Sequence, residues 1–534
     1  MPEPLVPFAT AHAPTGMVCS VDHLASGAGV AVLRAGGSAA DAAVATSAVL
    51  AVTTQHMCGM GGDLFALVHH GSGPPEVLNA SGRAGSGADA DRLRAEGMTT
   101  MPFRGRIESV PVPGCVDGWL ALHERHGRLP LADVFAPAIG YAEHGFPASP
   151  TLAASVPAIR DIEGSDDYTA VPVRAGTLIR RPLVAGALRD IAAGGRDAWY
   201  GGPFGESLLE LGTRAGGAGA GAEYTVADLE RHHADWVAPL GVRVWGHDVW
   251  TVPPNSQGYL TLAGAWIAEG LDLPDDPDDP SWAHLLIEAA RQAAFDRVEV
   301  LHERAEGPAL VAPARLAPRR AAIDPDAAAP LGDGYRDGGT IHLAAVDGDR
   351  MGVSLIQSNA SGWGCGLAVP RVRVFLQNRG YGFSLVAGHP AEYGPGRRPP
   401  HTLSPALVTR PDGALQQVIG TMGGDTQPQI LLQLLARLLR HGQSPGRAVA
   451  AGRWGLAGGQ SGFDTWQDRG RVTVRIEGHA SERWADGLVT RGHEVAVTGA
   501  FDHGVGHAHV IAVDGDVLAG ASDPRARTGA ASGY

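Results

Sequence analysis

A mixed α+β fold is predicted, on three observations. The stretch "HLASGAGVAVLRAGGSAADAAVATSAVLAVT" (23–53) is Ala-rich and reads as two helices broken at Gly36-Gly37. "TIHLAAVDGDRMGVSLIQS" (340–358) and "ALVTRPDGALQQVIGTMGG" (406–424) each carry two strand-like runs about a turn, the pattern of β-hairpins. Between these regions "SWAHLLIEAARQAAFDRVEVLHE" (281–303) is a strong amphipathic helix.

The remaining elements fall into place along the chain. Ser38 or Asp41 caps the second N-terminal helix. "MCGMGGDLFALVHH" is a Gly-rich turn entering a strand, and "PPEVLNASGRAG" is a strand that ends on Ser81-Gly82-Arg83. Helix signals recur at 131–144, 183–193 and 204–214, and "AGGAGAGAEY" (215–224) reads as a flexible loop. "GVRVWGHDVWTVPP" (241–254) is a hairpin-like strand pair. Residues 305–339 are rich in Pro, Ala and Asp with little periodicity, and are expected to be extended and partly mobile. "TQPQILLQLLARLLRHG" is a helix, and the tail from 471 onward, through "HAHVIAVDGDVLAGASDPR", is expected to form a small α/β lobe.

Composition excludes several function classes. The formal net charge is −14 and the chain has no lysine, so all 42 fixed side-chain cations are Arg. An acidic surface without a basic run argues against nucleic acid or an anionic membrane as partner. The four cysteines are scattered without a C-x-x-C pair, which suggests neither a disulfide framework nor a zinc site. His69-His70 and His232-His233 lack metal-ligand spacing with carboxylates and read as structural. No secretory signal and no apolar run of about 18 residues is visible, so a cytoplasmic protein without a membrane span is expected. No cofactor or metal is expected.

Thr340 carries the chemistry. A threonine hydroxyl is a weak nucleophile and needs a base within hydrogen-bond reach. If the chain is cut before it, the new α-amine, with an ordinary pKa of about 7.7–8.0, is that base. Gly338-Gly339 suits such a cut, because glycine tolerates backbone conformations that other residues do not. In the hairpin, a two-residue loop sets Thr340 opposite Gln357 and a three-residue loop sets it opposite Ser358. Either way Ser358 is its neighbour. "GTMGGD" (420–425) follows a strand and precedes a helix, so the amides of Gly423 and Gly424 are placed to stabilise an oxyanion.

Taken together these pieces resemble the γ-glutamyltransferase family of N-terminal-nucleophile hydrolases. The likeness spans nearly the whole chain: "HLASGAGVAVLRAGGSAADAAVA", "GMGGDLFALV", "SVPVPGCVDGWLALHERHGRLPLADVFAPAIGYAEHGF", "GGTIHLAAVD", "RRPPHTLSPALV", "GTMGGD" and the closing "GHAHVIAVDGDVLAGASDPR" occur in the family's order. The resemblance implies a four-layer αββα sandwich that cuts itself between Gly339 and Thr340 into fragments 1–339 and 340–534. These would stay associated as one intertwined unit, alone or as a homodimer of the pair. It also implies Thr340 as nucleophile, Ser358 as its supporting hydroxyl, and Gly423 and Gly424 as the oxyanion loop.

The chain departs from the family where glutathione would be recognised. Gly382 stands in "LQNRGYGFS" (376–384) where the family has the acid that holds a substrate α-amine, and Arg379 matches a neutral amide position. His401 and Thr402 replace paired serines, and Ser81 replaces the carboxylate-binding arginine, with Arg83 two residues on. Arg83, Asn359, Arg379, His401 and Thr402 are the expected substrate-binding residues, with Arg379, Arg83 and Thr402 clamping a carboxylate. This pattern is similar to the branch with oxamate-type amidohydrolases and proteins labelled cephalosporin acylases. The expected activity is that of a self-processing amidohydrolase or acyltransferase working through an acyl-enzyme on a small amide that bears a carboxylate and no α-amine. Two other readings stand beside it: true γ-glutamyl transfer or glutathione hydrolysis, and an unprocessed binding protein.

Overall fold

The computed structural model describes residues 9–215, 222–330, 339–457 and 472–534. Two seven-stranded sheets dominate it, and every pairing within them is antiparallel. One sheet runs in the order Asp235–Val237, Glu76–Ala80, Asp63–His69, Gly352–Ala360, Gly339–Val346, Met17–Ser20, Ala530–Gly533. The other runs Leu240–Val244, His247–Thr251, Ala406–Thr409, Leu415–Thr421, Ala508–Asp514, Val517–Ser522, Ala11–Ala13. Each sheet takes strands from both sides of residue 340.

Three apolar cores follow from this arrangement. Phe65, Leu67, Val346 and Ile356 of one sheet meet Leu407, Val418, Ile511 and Leu518 of the other. Helices Ala39–Thr53, Cys115–His126 and Leu131–His144 share a second core with residues of the first sheet, such as Leu64, Leu343 and Leu355. Tyr259–Glu269, Pro280–Ala294 and Gln427–Leu435 share a third with the other sheet, through Val408, Ile419 and Val510. Every residue of Ala39–Thr53 is buried, which is why its sequence is small and apolar on all faces rather than striped. Ser38 caps it in a capping box with Asp41, so both expected cap residues act together.

The hairpin that carries Thr340 takes the register of a three-residue loop. Val346 pairs with Gly352 and Thr340 with Ser358, while Arg350 adopts φ 63° in the turn. Between Gly339 and Thr340 the register shifts, because Gly339 faces Ala360. Such an irregularity leaves one residue out of the ladder and bends the strand locally. It falls on the bond expected to be cut.

Two expectations are corrected. Within 305–339, Gly307–Leu310 and Pro313–Ala321 are helical. The guanidinium groups of Arg319 and Arg320 lie over the rings of Phe295 and Trp266 at 4.4 and 3.8 Å. Arg315 and Arg319 both bond Asp296, so this stretch is pinned to the body of the protein. Residues 331–338, and 216–221 of the Gly-rich loop, lie outside the described residues. The C-terminal lobe is smaller than expected. Only Trp454–Ala457, Thr473–Glu477 and Glu494–Thr498 form its sheet. Ala508–Asp514 and Val517–Ser522 enter a main sheet instead, since their buried apolar faces complete the inter-sheet core. Buried Arg453 and Arg525, bonded to Asp523 and Glu477, join lobe to sheet. No helix among the described residues is long and apolar enough to cross a membrane.

Where the sheets approach near Thr340, Gly420 is required by space. A Cβ there would fall 2.2 Å from Cδ2 of the His342 ring, whose Nε2 is 3.0 Å from Ser354 Oγ. Gly420→Ala should destabilise the protein by about 1–3 kcal/mol through overpacking. A clear drop in the thermal unfolding midpoint is expected. An unchanged midpoint would show that the sheets part without cost.

Candidate active site

Three adjacent strands set three polar residues in one line. Thr340 pairs with Ser358, and Ser358 pairs with Asp63 on the next strand. All three are fully buried. Thr340 Oγ1 lies 3.0 Å from Ser358 Oγ. Ser358 Oγ in turn accepts from the Ala360 amide at 2.8 Å and from Arg379 Nη2 at 3.2 Å. The two donors hold its rotamer against the threonine. Gly62 makes the close strand approach feasible, since a Cβ there would lie 2.0 Å from the Ser358 carbonyl oxygen.

Arg379 is the hub of the polar cluster. Its Nε donates to Asp63 Oδ2 at 2.9 Å and its Nη1 to Thr402 Oγ1 at 2.9 Å. His401 Nε2 lies 2.8 Å from the same Asp63 oxygen, and the Leu403 amide donates to His401 Nδ1. That pair of bonds assigns the neutral tautomer with its proton on Nε2. Burial, reinforced by Arg379, pushes His401 down to about 4. Burial raises the Asp63 carboxyl, but Arg379 and His401 outweigh it and hold it below the usual range. The cluster is thus an Arg379–Asp63 ion pair with a neutral imidazole attached.

Each nitrogen of Arg379 bonds a protein oxygen and Asp63 balances its charge, while Nη1 and Nη2 each keep a second N–H. The Asn359 side-chain amide donates to the Gln55 carbonyl oxygen, on the opposite face of the strand from Ser358. Arg83 bonds Asp235 at 3.0 Å and the Gly396 carbonyl oxygen at 3.2 Å.

Arg398 was not singled out from the sequence. It is buried, and donates to Ser81 Oγ at 2.7 Å, Asn79 Oδ1 at 2.6 Å, the His233 carbonyl oxygen at 3.0 Å and Asp235 at 2.6 Å. Burial and neighbouring Arg83 lower it to about 10. Its guanidinium therefore touches Ser81, the position matched to the family's arginine. Asn255 links this group to His401: its side chain donates to Ser81 Oγ and its carbonyl accepts from the His401 amide.

Gly423 and Gly424 form the turn into helix Gln427–Leu435, with φ 137° and 55°. Neither conformation suits a residue with a Cβ. The amides of both donate to no protein group among the described residues. Gln257 Nε2 bonds the carbonyl oxygens of Thr402 and Gly424, tying the two loops together at 2.9 and 3.0 Å. Asp425 forms a buried ion pair with Arg297 at 2.8 Å. Asp63 was legible in "GMGGD" as an acid at a strand entrance. Arg398 and Gln257 had no local signal, since their roles arise from loops distant in sequence.

The buried imidazoles fix a pH dependence. Burial holds His401 and His509 down to about 4 and His56 to about 3, against about 6.5 in the unfolded chain. The unfolded state therefore binds more protons below pH 6.5, and stability falls as pH drops from there toward 4. Thermal unfolding midpoints should be level above about pH 7 and decline steadily through that window. A level profile down to pH 4.5 would contradict neutral burial of these rings.

Comparison with known proteins agrees with this architecture. Residues 25–533 match the Gamma-glutamyltranspeptidase family. The chain is 34% identical over 536 residues to an oxamate amidohydrolase proenzyme of Klebsiella pneumoniae, covering 97% of this chain and 98% of that one. It is 34% identical over 530 residues to the glutathione hydrolase-like YwrD proenzyme of Bacillus subtilis, with 95% and 97% covered. Among solved structures it superposes on a cephalosporin acylase from Bacillus halodurans with a TM-score of 0.89 at 32% identity, over 100% of this chain and 98% of that one. The chain belongs to the γ-glutamyltranspeptidase family, and is an enzyme of its N-terminal-nucleophile hydrolase type.

Proposed function

We propose that this enzyme is a self-processing threonine amidohydrolase acting on a small amide whose acyl part carries a carboxylate and no α-amine. The observation that carries the reading is the buried line Thr340–Ser358–Asp63, with Arg379 bonded to the last two. In the uncut chain Thr340 Oγ1 would attack the Gly339 carbonyl carbon, and the shifted ester would be hydrolysed. The freed α-amine of Thr340 then serves as base. Oγ1 attacks the substrate carbonyl, the amides of Gly423 and Gly424 receive the oxyanion, the amine passes its proton to the leaving group, and water releases the acid. Fragments 1–339 and 340–534 would stay joined, because each large sheet takes strands from both. The three cores support the four-layer αββα sandwich that the family resemblance implies.

Two features support the substrate class. Gly382 lines a cleft with a cavity volume of about 70 Å³, together with Arg297, Val298, Leu301, Phe383 and Pro400. No carboxylate lines that cleft among the described residues, and Thr340, Ser358 and Arg379 do not line it either, so it bears on the substrate only as the space next to Gly382. Arg398, on Ser81, and its neighbours Arg83 and Arg397 share two carboxylates among the described residues, Asp235 and Glu303. That group carries one net positive charge, whereas the Arg379–Asp63 pair carries none. A substrate carboxylate is better matched by Arg398 and Arg83 than by Arg379. The resemblance to an oxamate amidohydrolase agrees with this, oxamate being an amide with a carboxylate and no amine.

γ-Glutamyl transfer is the second reading. One observation favours it: Asp63 Oδ1 is buried without a hydrogen-bond partner and could accept from an ammonium group.

Purified protein should run as fragments of about 35 and about 20 kDa, from a 55.2 kDa chain, and the smaller should begin Thr-Ile-His. Thr340→Ala should remain one chain and lack activity. A Thr340→Ala protein with normal turnover would exclude this nucleophile.

An ammonium group left without its acid costs on the order of 1–3 kcal/mol, or about ten- to hundredfold in kcat/KM. Glutaryl anilide should therefore be turned over faster than γ-glutamyl anilide by at least that lower factor. A tenfold preference for the γ-glutamyl compound would select the second reading.

A further inference from the structure

One of the histidines that read as structural in the sequence, His70, comes in the fold beside two other potential metal ligands. His70 follows strand Asp63–His69, Glu76 opens strand Glu76–Ala80, and His126 ends helix Cys115–His126. The strand pairing and the helix end bring these three together at the opposite end of strand Asp63–His69 from Asp63. His70 Nε2 lies 3.5 Å from Glu76 Oε1, and His126 Nε2 lies 3.7 Å from Glu76 Oε2. All the donor atoms lie within 4.8 Å of one another. We propose that His70, Glu76 and His126 form a binding site for Zn²⁺, with a further coordination position open to water.

Hydrogen bonding does not account for the cluster. Separations of 3.5 and 3.7 Å are too long for direct hydrogen bonds. They are close to the roughly 3.4 Å expected between two ligands each about 2.1 Å from one tetrahedral ion. His126 Nε2 is buried and has no hydrogen-bond partner, although its side chain is only 5% exposed. An orphaned ring nitrogen aimed at a carboxylate is costly unless something lies between them. The ring is set edge-on to Trp236, with centroids 5.3 Å apart. His69 fixes the turn that carries His70, with Nε2 near the carbonyl oxygens of Gly73 and Gly413 and Nδ1 accepting from the Gly71 amide. Arg125 is the competing cation, with Nε 2.8 Å from Glu76 Oε2. Its guanidinium lies over Trp236 at 4.5 Å, and Glu76 Oε1 stays available. Two imidazoles and one carboxylate suit Zn²⁺, and the 38% exposure of His70 and 33% of Glu76 give the ion a path in.

A second histidine–carboxylate group serves as contrast. His284 and His493 nitrogens are 2.8 Å apart, a direct hydrogen bond, and His284 Nε2 lies 2.8 Å from the Asp324 carbonyl oxygen. Glu288 already accepts from Arg291 and from the Ala329 amide. Its donor atoms are occupied by one another, so this group needs no ion.

The test is calorimetric titration of Zn²⁺ into tag-free, chelator-stripped, full-length protein at pH 7.5. One saturating equivalent is expected. His70→Gln, at an exposed position, and His126→Ala should each weaken binding at least about tenfold, while His493→Gln leaves it unchanged. No saturable binding would overturn the proposal. So would an equivalent that survives both His70→Gln and His126→Ala, or one that disappears in His493→Gln.

Discussion

The buried ion pair between Arg379 and Asp63 is the constraint on which the rest of the site depends. Both side chains are all but inaccessible to water. Removing one partner of such a pair costs about 3–5 kcal/mol, because the other charge is left without compensation. Part of the pair's remaining hydrogen-bonding capacity is used, Asp63 Oδ1 being the buried oxygen without a hydrogen-bond partner among the described residues. Here Arg379 spends its other nitrogens on Ser358 and Thr402, and Asp63 shares Oδ2 with His401. A single guanidinium thus sets the hydroxyl beside Thr340 and the loop that follows His401. Neutral His401 is a consequence, since a second cation beside Arg379 would upset the balance.

Close backbone approach is what lets that pair form. Gly62 lets its turn come against Ser358, Gly420 leaves room for the His342 ring, and Gly423 and Gly424 turn the chain into a helix with their amides unspent. The register shift between Gly339 and Thr340 belongs to the same region. Rigid strands fix Thr340, Ser358 and Asp63 in line, while the glycines supply the few places where the backbone must depart from regular geometry. Position is held by sheet hydrogen bonds, and the ladder's irregularity in this hairpin is confined to the Gly339–Thr340 step.

Much of the fold was legible because period and turn chemistry are local. The two hairpins, the all-buried helix Ala39–Thr53 and its Ser38 cap follow from residues a few positions apart. The Thr340–Ser358 contact was half legible: either loop length makes Ser358 a neighbour, and the three-residue loop sets it directly opposite. The helices within 307–321 were not. Their amphipathic signal is masked by Pro313 and Pro318, and their stability comes from Arg stacking on Phe295 and Trp266, far away in sequence. The strands after Ala508 were misassigned because no local feature says which of two sheets an alternating strand will join. Glu76 and His126 reach His70 only through tertiary structure.

The charge balance at Arg379 was hidden for the same reason. A sequence shows that a cation has been added near the substrate pocket. It does not show that Asp63, 316 positions earlier, neutralises it. Counting charges in space moves the surplus to Arg83, Arg397 and Arg398, around Asp235 and Glu303. The replacement of an arginine by Ser81 then reads as a relocation: Arg398 comes from another loop and places its guanidinium on Ser81 Oγ. Loss of the acid at Gly382 has no such compensation in its cleft. The site thus presents a guanidinium at Ser81 and a glycine, not an acid, at position 382.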